Sequence, residues 1–170
     1  IAAHLFKVLR GSNNLVFPNS RREVERYTHL LHQMCLCQQV PNEFWPHHGS
    51  LSKEIRAETE LALKQKERPA TAICTNTLEL GIDIGAVRCV AQINPPPSVA
   101  SVRQRLGRSG RRPGEPAILR GYCIEEAIDS KSSLDRLLRL GTVQMTAMVS
   151  LLLESWFEPP QAQGLHFADH

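Results

Sequence analysis

The chain has 170 residues, which is enough for one domain with a substantial core and too few for two domains of ordinary size. A hydrophobic content of 42% and a charged content of 22% are ordinary for a globular protein and exclude a disordered or fibrous chain. Because the formal net charge is only +3, a role in nucleic-acid binding would depend on where the positive charges lie.

Cysteine and histidine spacing predicts no metal site. The five cysteines form no Cys-x-x-Cys pair, which indicates reduced thiols in a cytoplasmic protein. Cys35 and Cys37 could bind a soft metal, but they lie in a helical pattern without partner ligands. The adjacent His47 and His48 are typical of satisfied or exposed histidines. No run of about 18 apolar residues occurs, so no membrane span is expected.

Strand and helix patterns alternate from the beginning of the chain. The first ten residues predict a helix, and the apolar run Leu15 to Phe17 predicts the first strand. Ser20-x-x-Glu23 is a capping-box pattern at the start of a second helix. That helix continues with apolar residues at helical spacing, namely Val24, Tyr27, Leu31 and Met34.

Further strand-helix units follow. EFWPHHG predicts a strand, and Ser52 is expected to cap a helix that reaches about Lys66. ATAIC, AVRCVAQI and PAILRGYCI predict three more strands, with a helix capped by Ser98 before the last of them. A helical pattern with a break near Gly141 runs from 128 to 156, and EPPQAQG predicts a linker.

Repeated units of this kind predict an α/β sandwich with a mainly parallel sheet. Open sheets of this class bind ligands outside the carboxyl ends of their strands. Four polar segments directly follow predicted strands and are expected to meet along that edge. They are Asn19 with Ser20, His48 with Gly49, Thr75 with Asn76, and the arginine-rich stretch VRQRLGRSGRR.

The arginine-rich stretch holds five arginines in eleven positions and no acidic residue. A solvated basic loop is one interpretation. In a helix, Gln104, Arg108 and Arg111 would share one stripe, whereas the two glycines indicate a turn or a close approach to the backbone. With either geometry the arginines are expected to converge on a bulky anion, because guanidinium groups match phosphate and keep their charge when desolvated.

These segments, in this order, resemble the second motor domain of superfamily 2 helicases, specifically the Large helicase-related (Lhr) family. LVFPNSRREVE resembles motif IV, HHGSLSKEIR the segment after it, TAICTNTLELGIDIG motif V, and PPPSVASVRQRLGRSGRRPG motif VI. The resemblance implies a RecA-like three-layer sandwich over residues 1–140. Residues 141–170 would form a helical extension and linker toward a following winged-helix domain.

The resemblance also assigns a nucleotide role to motifs V and VI. In such motors ATP lies between two RecA-like domains. Arg108 and Arg111 would be arginine fingers for its γ-phosphate, and Gln104 would order the same network. Gly81 would leave room for the nucleotide and Asp83 would accept a hydrogen bond from the ribose. Considered without the motif, Asp83 fits a turn or helix-cap residue.

Four further residues would touch the nucleic-acid backbone by the same resemblance: Ser20, Arg21, Gly49 and Thr75. Small hydroxyls, backbone amides and an arginine can follow phosphates without reading bases. From the residues alone, Ser20 also fits a helix cap and Arg21 a solvated helix position. The expected partner is single-stranded DNA or an RNA-DNA hybrid.

The sequence contains no Gly-x-x-x-x-Gly-Lys-Ser/Thr loop and no Asp-Glu pair for Mg²⁺. ATP and Mg²⁺ are therefore expected to be held mainly by an N-terminal RecA-like domain of the same protein, and this chain alone is expected to be inactive.

Asn76 and Leu80 replace the Asp and Arg common in RNA helicases, which favours a DNA-directed motor in a repair setting. The alternative is a nucleic-acid-binding scaffold that has lost catalysis. A nucleotide-dependent oxidoreductase is excluded, because no Gly-x-Gly-x-x-Gly follows the first strand.

Overall fold

The computed structural model describes residues 1–65, 68–79, 83–111, 114–129 and 132–157. Five strands form one parallel sheet in the order β2-β3-β1-β4-β5. This confirms the predicted α/β fold. The strands are β1 (Asn14–Pro18), β2 (Phe44–His47), β3 (Thr71–Cys74), β4 (Cys89–Ile93) and β5 (Ile118–Tyr122). The helices are α1 (Ala2–Leu9), α2 (Arg21–Cys37), α3 (Lys53–Lys64), α4 (Val99–Leu106), α5 (Leu134–Leu138) and α6 (Leu140–Leu153), with a 3₁₀ turn at Asn76–Leu78.

Each face of the sheet has its own apolar core, because successive residues of a strand point to opposite faces. On β1, Val16 packs with residues of α1 and α2, whereas Leu15 and Phe17 pack with Leu63 of α3. All five residues of β1 are buried. This is the pattern of a central strand that is covered on both faces.

Three helices begin at the serines that the sequence predicted. Each serine hydroxyl accepts a hydrogen bond from the backbone N–H three residues later, which satisfies a donor that the first helical turn leaves unpaired. The pairs are Ser20 with Glu23 (3.2 Å), Ser52 with Ile55 (3.4 Å) and Ser98 with Ser101 (3.1 Å). The second of these helices, α3, ends at Lys64, slightly before the predicted end.

The C-terminal helical pattern is broken at Arg139, two residues before the predicted break. Arg139 has left-handed backbone angles, with φ of 49°, and separates α5 from α6. The end of this region packs on α4. Arg103 Nη2 donates to the carbonyl of Trp156 (2.7 Å), and its guanidinium lies 3.8 Å from the centre of the Phe157 ring. The division at residue 140 stays a prediction, and residues 158–170 lie outside the described ranges.

One helical stretch in the described part of the chain, Arg136–Leu153, is long and apolar enough to cross a membrane by length and composition. The left-handed residue Arg139 interrupts it. Since α6 has 14 residues, it extends over about 21 Å, which is less than the roughly 30 Å of a bilayer core. The continuous helix is therefore shorter than a spanning helix.

Two leucines of α2 test the core that this fold places against the sheet. Leu31 is fully buried and Leu36 is 58% exposed. Leu31→Ala is expected to lower the free energy of unfolding of the chain by about 2–5 kcal/mol, because it leaves a cavity. Leu36→Ala is the matched control and should change it by less than about 1 kcal/mol. Denaturant unfolding measures both, and equal losses would contradict this packing.

Candidate nucleic-acid and nucleotide site

A cleft of about 620 Å³ lies at the carboxyl ends of the strands. All four predicted nucleic-acid residues line it: Ser20, Arg21, Gly49 and Thr75. They meet there because β1, β2 and β3 are parallel and end at the same edge of the sheet. Cavities of about 670 and 640 Å³ lie at the amino ends of the strands, near Asn13 and Trp45. The three cavities therefore have similar volumes, and this cleft differs from the other two in the residues that line it.

The loops around the cleft are joined to one another. Arg21 is exposed and its Nη1 donates to Ser50 Oγ (2.6 Å), which connects the first turn of α2 to the loop after β2. The Thr75 N–H donates to the carbonyl of His47 (3.2 Å) and connects the loops after β2 and β3. Gly49 is exposed, and a Cβ there would have no neighbouring atom within 4 Å. Its backbone is therefore open to a ligand.

One residue that lines the cleft, Arg105, forms a buried ion pair with Glu79. Arg105 is 5% exposed and Glu79 is 8% exposed, and the Arg105 Nε donates to a Glu79 carboxylate oxygen (2.7 Å). The terminal nitrogens of Arg105 bond the same oxygen and the side-chain oxygen of Gln92. The guanidinium also lies 4.7 Å from the centre of the Phe17 ring. Several bonds and a cation–π contact thus compensate a charge that burial would otherwise disfavour.

The polar network continues from the ion pair to the end of β1. Gln92 Nε2 donates to Asn19 Oδ1 (3.2 Å) and to the Asn94 carbonyl (2.8 Å). Asn19 Nδ2 in turn donates to the carbonyl of Pro95 (2.6 Å). The residues that follow β1 and β4 are therefore tied to motifs V and VI.

Arg108 is connected to the same acidic residue from the other side. It is 7% exposed, and its Nε and Nη2 donate to the backbone carbonyl of Glu79 at 3.1 and 2.7 Å. Burial lowers the pKa of Arg108 from its ordinary value, the neighbouring positive charge of Arg111 lowers it further, and the carboxylate of Asp83 opposes both. Arg108, Arg111 and Asp83 are thus close in space.

The motif VI stretch forms a helix and then a turn, so the single helical stripe does not form. α4 ends at Leu106, and Gly107 caps it. Arg111 is exposed beyond the helix, and its Nε donates to the Gly107 carbonyl (3.1 Å). Gln104 is exposed on the last turn of α4. The sequence allowed either a continuous helix or a turn at the glycines, and the structure shows the turn.

Gly110 shows why this turn needs glycine. Its φ is +67°, and a Cβ would lie 2.6 Å from the backbone nitrogen of Ala117. The neighbouring Ser109 pairs with Val87 in an isolated parallel bridge. The turn is therefore pressed against the chain that enters β5, and a side chain at residue 110 would collide with it.

The two predicted nucleotide-binding residues have different outcomes. Asp83 is exposed and its Oδ1 accepts from the Gly85 N–H (3.2 Å), which is the turn role that the residue alone suggested. Gly81 lies outside the described residues, as does Leu80. The nucleotide roles of both positions stay predictions.

Sequence reasoning missed the Arg105–Glu79 ion pair. Arg105 was counted only as one of five arginines in a basic stretch, and Glu79 as one letter of motif V. A helical projection of α4 places Arg105 with the buried Val102, three residues earlier, which is the one signal that could have indicated a buried arginine. Nothing in the sequence indicates its partners, which come from two other segments.

Comparisons with known proteins show which family the chain is similar to. Residues 1–113 match the family described as "Helicase conserved C-terminal domain". The "Lhr helicase/ probable uracil glycosylase" of Mycolicibacterium smegmatis is 55% identical over 69 residues, which cover 41% of this chain and 4% of that protein. The "Lhr helicase/uracil glycosylase" of Escherichia coli is 38% identical over 137 residues, which cover 65% of this chain and 9% of that protein.

A solved structure is similar over nearly the whole chain. It is the Mycobacterium smegmatis helicase Lhr bound to ssDNA and AMP-PNP, with a TM-score of 0.76 and 31% identity. The similarity covers 94% of this chain and 20% of that one. The chain therefore spans a small part of the length of the relatives that it matches.

The buried ion pair can be tested by a double-mutant cycle. Arg105→Met or Glu79→Leu alone is expected to lower the free energy of unfolding by about 3–5 kcal/mol, because each leaves an unpaired buried charge. The double variant should lose less than the sum, with a coupling of about 0.5–3 kcal/mol. Arg26→Met is the control. It breaks an exposed ion pair with Glu23 and should cost less than about 1 kcal/mol. Additive losses in denaturant unfolding would contradict the pairing.

Proposed function

The chain belongs to the helicase conserved C-terminal domain family, and from this we propose that it is the second motor domain of an ATP-dependent, Lhr-like DNA helicase. The match over residues 1–113 and the similarity to Lhr proteins confirm the resemblance that motifs IV to VI predicted. The activity, substrates and partners of the whole protein are part of the proposal, because the chain spans only 4% and 9% of its first relatives.

One observation carries the proposal: Glu79 bonds two motif VI arginines at the same time, Arg105 and Arg108. Its carboxylate binds Arg105, which lines the cleft, and its carbonyl binds Arg108. A residue so placed can pass a displacement on one side to the other through direct bonds. A motor needs such a connection, because it must link nucleic-acid contact to ATP hydrolysis.

Arg108 and Arg111 are proposed to reach the γ-phosphate of an ATP held by the N-terminal motor domain. Two adjacent guanidinium groups, one buried and one exposed, supply fixed positive charge and many donors, which suits a triphosphate. Such groups stabilise the charge that spreads over the phosphoryl oxygens in the transition state. Gln104, Gly81 and Asp83 would complete this side of the nucleotide site. Mg²⁺ would supply charge neutralisation between the phosphates and would be held by the other domain.

The cleft is proposed to hold the backbone of single-stranded DNA or of an RNA-DNA hybrid. It presents the hydroxyls of Ser20 and Thr75, the open backbone of Gly49 and the charge of Arg21. These groups match phosphate and sugar, and contacts of that kind carry no direct sequence information. Binding is therefore expected to tolerate any sequence and to weaken with salt.

Replacing Arg111 separates a motor from a silent scaffold. In the full-length protein, Arg111→Ala is expected to lower the ATP turnover number by about 10³-fold or more, because one arginine finger is lost. The affinity for single-stranded DNA should stay within about twofold, since Arg111 does not line the cleft. Arg22→Ala removes an exposed arginine of α2 as a control and should retain turnover. A full-length wild type without ATP turnover would support the scaffold alternative and overturn the motor. Measurable turnover that is unchanged in Arg111→Ala would contradict the role of Arg111 as an arginine finger.

Arg21 and Arg22 form a matched pair for the nucleic-acid cleft. Both are exposed and adjacent, but only Arg21 lines the cleft. Arg21→Gln is expected to weaken binding of single-stranded DNA similarly for all sequences and to reduce the slope of log affinity against log salt by about 0.7, the value for one phosphate contact. Arg22→Gln should leave the slope unchanged. Fluorescence anisotropy at several salt concentrations measures both, and equal slopes would contradict this placement.

A further inference from the structure

His47 is a buried histidine that the proposed motor chemistry does not use. It is the last residue of β2 and is 1% exposed, so it lies behind the cleft and cannot touch nucleic acid or nucleotide. Two residues later the chain reaches Gly49, which lines the cleft. His47 is therefore placed to act on the cleft only through other residues.

Both ring nitrogens of His47 have partners on different elements. Nδ1 lies 2.8 Å from Thr77 Oγ1, in the turn after β3, and Nε2 lies 3.1 Å from Glu60 Oε1, on α3. The main chain of His47 contacts the same turn, because its carbonyl accepts from the Thr75 N–H and lies 3.3 Å from Thr77 Oγ1. His47 thus contacts the turn that carries Thr75 through both its ring and its backbone.

The partners determine where the proton of the ring lies. Burial lowers the pKa of His47, and Arg56 lowers it further, while the bond to Glu60 and its charge oppose them. The ring is therefore neutral at pH 7. The Glu60 carboxylate can only accept a hydrogen bond, so Nε2 carries the proton and Nδ1 accepts from the Thr77 hydroxyl. The single hydroxyl proton of Thr77 is thus directed at Nδ1, at 2.8 Å, and not at the His47 carbonyl, which is 3.3 Å away and accepts from the Thr75 N–H.

We propose that Glu60, His47 and Thr77 form a positioning chain that holds the loop of Gly49 against the turn of Thr75, so that both reach the nucleic-acid backbone together. The inference rests on the proposed function, because the positions of these two loops matter only if the cleft binds nucleic acid. His47 and Glu60 are positioning residues, and neither enters the ATP reaction. Thr77 lines the cleft, so the series of hydrogen bonds that starts at Glu60 ends at the cleft.

A packing role alone does not explain these contacts. A buried polar ring costs free energy unless both nitrogens are bonded, and an apolar residue at the end of β2 would avoid that cost. The hydrogen bonds of the His47 ring instead connect α3 to the turn after β3, and the loop that carries Gly49 begins directly after His47. The cleft requires these hydrogen bonds for the relative position of the two loops, rather than for their contribution to stability.

Four substitutions in the full-length protein separate positioning from packing. The amide of Asn is as many bonds from Cα as Nδ1 and can replace the bond to Thr77, whereas the amide of Gln is placed like Nε2 and can replace only the bond to Glu60. Thr77→Ser keeps the hydroxyl and Thr77→Val removes it. His47→Asn and Thr77→Ser therefore retain the connection to the cleft. His47→Gln and Thr77→Val break it.

The measurement is the concentration of single-stranded oligodeoxythymidylate that gives half-maximal stimulation of ATP hydrolysis. His47→Gln and Thr77→Val are expected to raise it about fivefold to tenfold, as for the loss of one hydrogen bond. His47→Asn and Thr77→Ser should stay within about twofold of the wild type, and the KM for ATP should be unchanged in all four. Thermal midpoints of the same variants report stability separately.

The result that overturns the inference is an equal effect of His47→Asn and His47→Gln that follows the loss of thermal stability. No effect in any variant, with a wild type that DNA stimulates, also overturns it and leaves the proposed function intact. A wild type whose ATP hydrolysis does not respond to DNA overturns both.

Discussion

The buried ion pair between Arg105 and Glu79 is the interaction on which the site depends. Two charges that are more than nine-tenths buried are stable only with near-complete hydrogen bonding. Here the Arg105 guanidinium donates to the Glu79 carboxylate and to the Gln92 amide oxygen, and it also contacts the face of the Phe17 ring. Because the guanidinium fork is planar and rigid, it fixes the relative positions of the elements that supply those partners.

That arrangement brings the two halves of the site together. Glu79 accepts hydrogen bonds from Arg105 through its carboxylate and from Arg108 through its carbonyl, so it joins a residue that lines the cleft to an arginine proposed for ATP. On the other side of the cleft, His47 ties the loops after β2 and β3 to each other. The parallel sheet makes this possible, since all these segments leave it at one edge.

The elements and their starting points could be predicted because their signals are local. Helix caps at Ser20, Ser52 and Ser98 require only a hydroxyl and a backbone three residues away. The stripe of Gln104, Arg108 and Arg111 was not found, because the helix ends at Gly107 and the contact of Gly110 with Ala117 selects a turn. That choice depends on a neighbour that periodicity within one segment does not include.

The sequence by itself determined the α/β class, the order of the strands and helices along the chain, and the polar segments at the carboxyl ends of the strands. Periodicity, caps and motif order encode these features within short windows. Only the tertiary structure decided that Arg105 is buried on Glu79, that Arg108 binds the carbonyl of that residue, and that His47 reaches Thr77. Each of these pairs joins residues more than 25 positions apart, and only the packing of the sheet brings them within hydrogen-bonding distance.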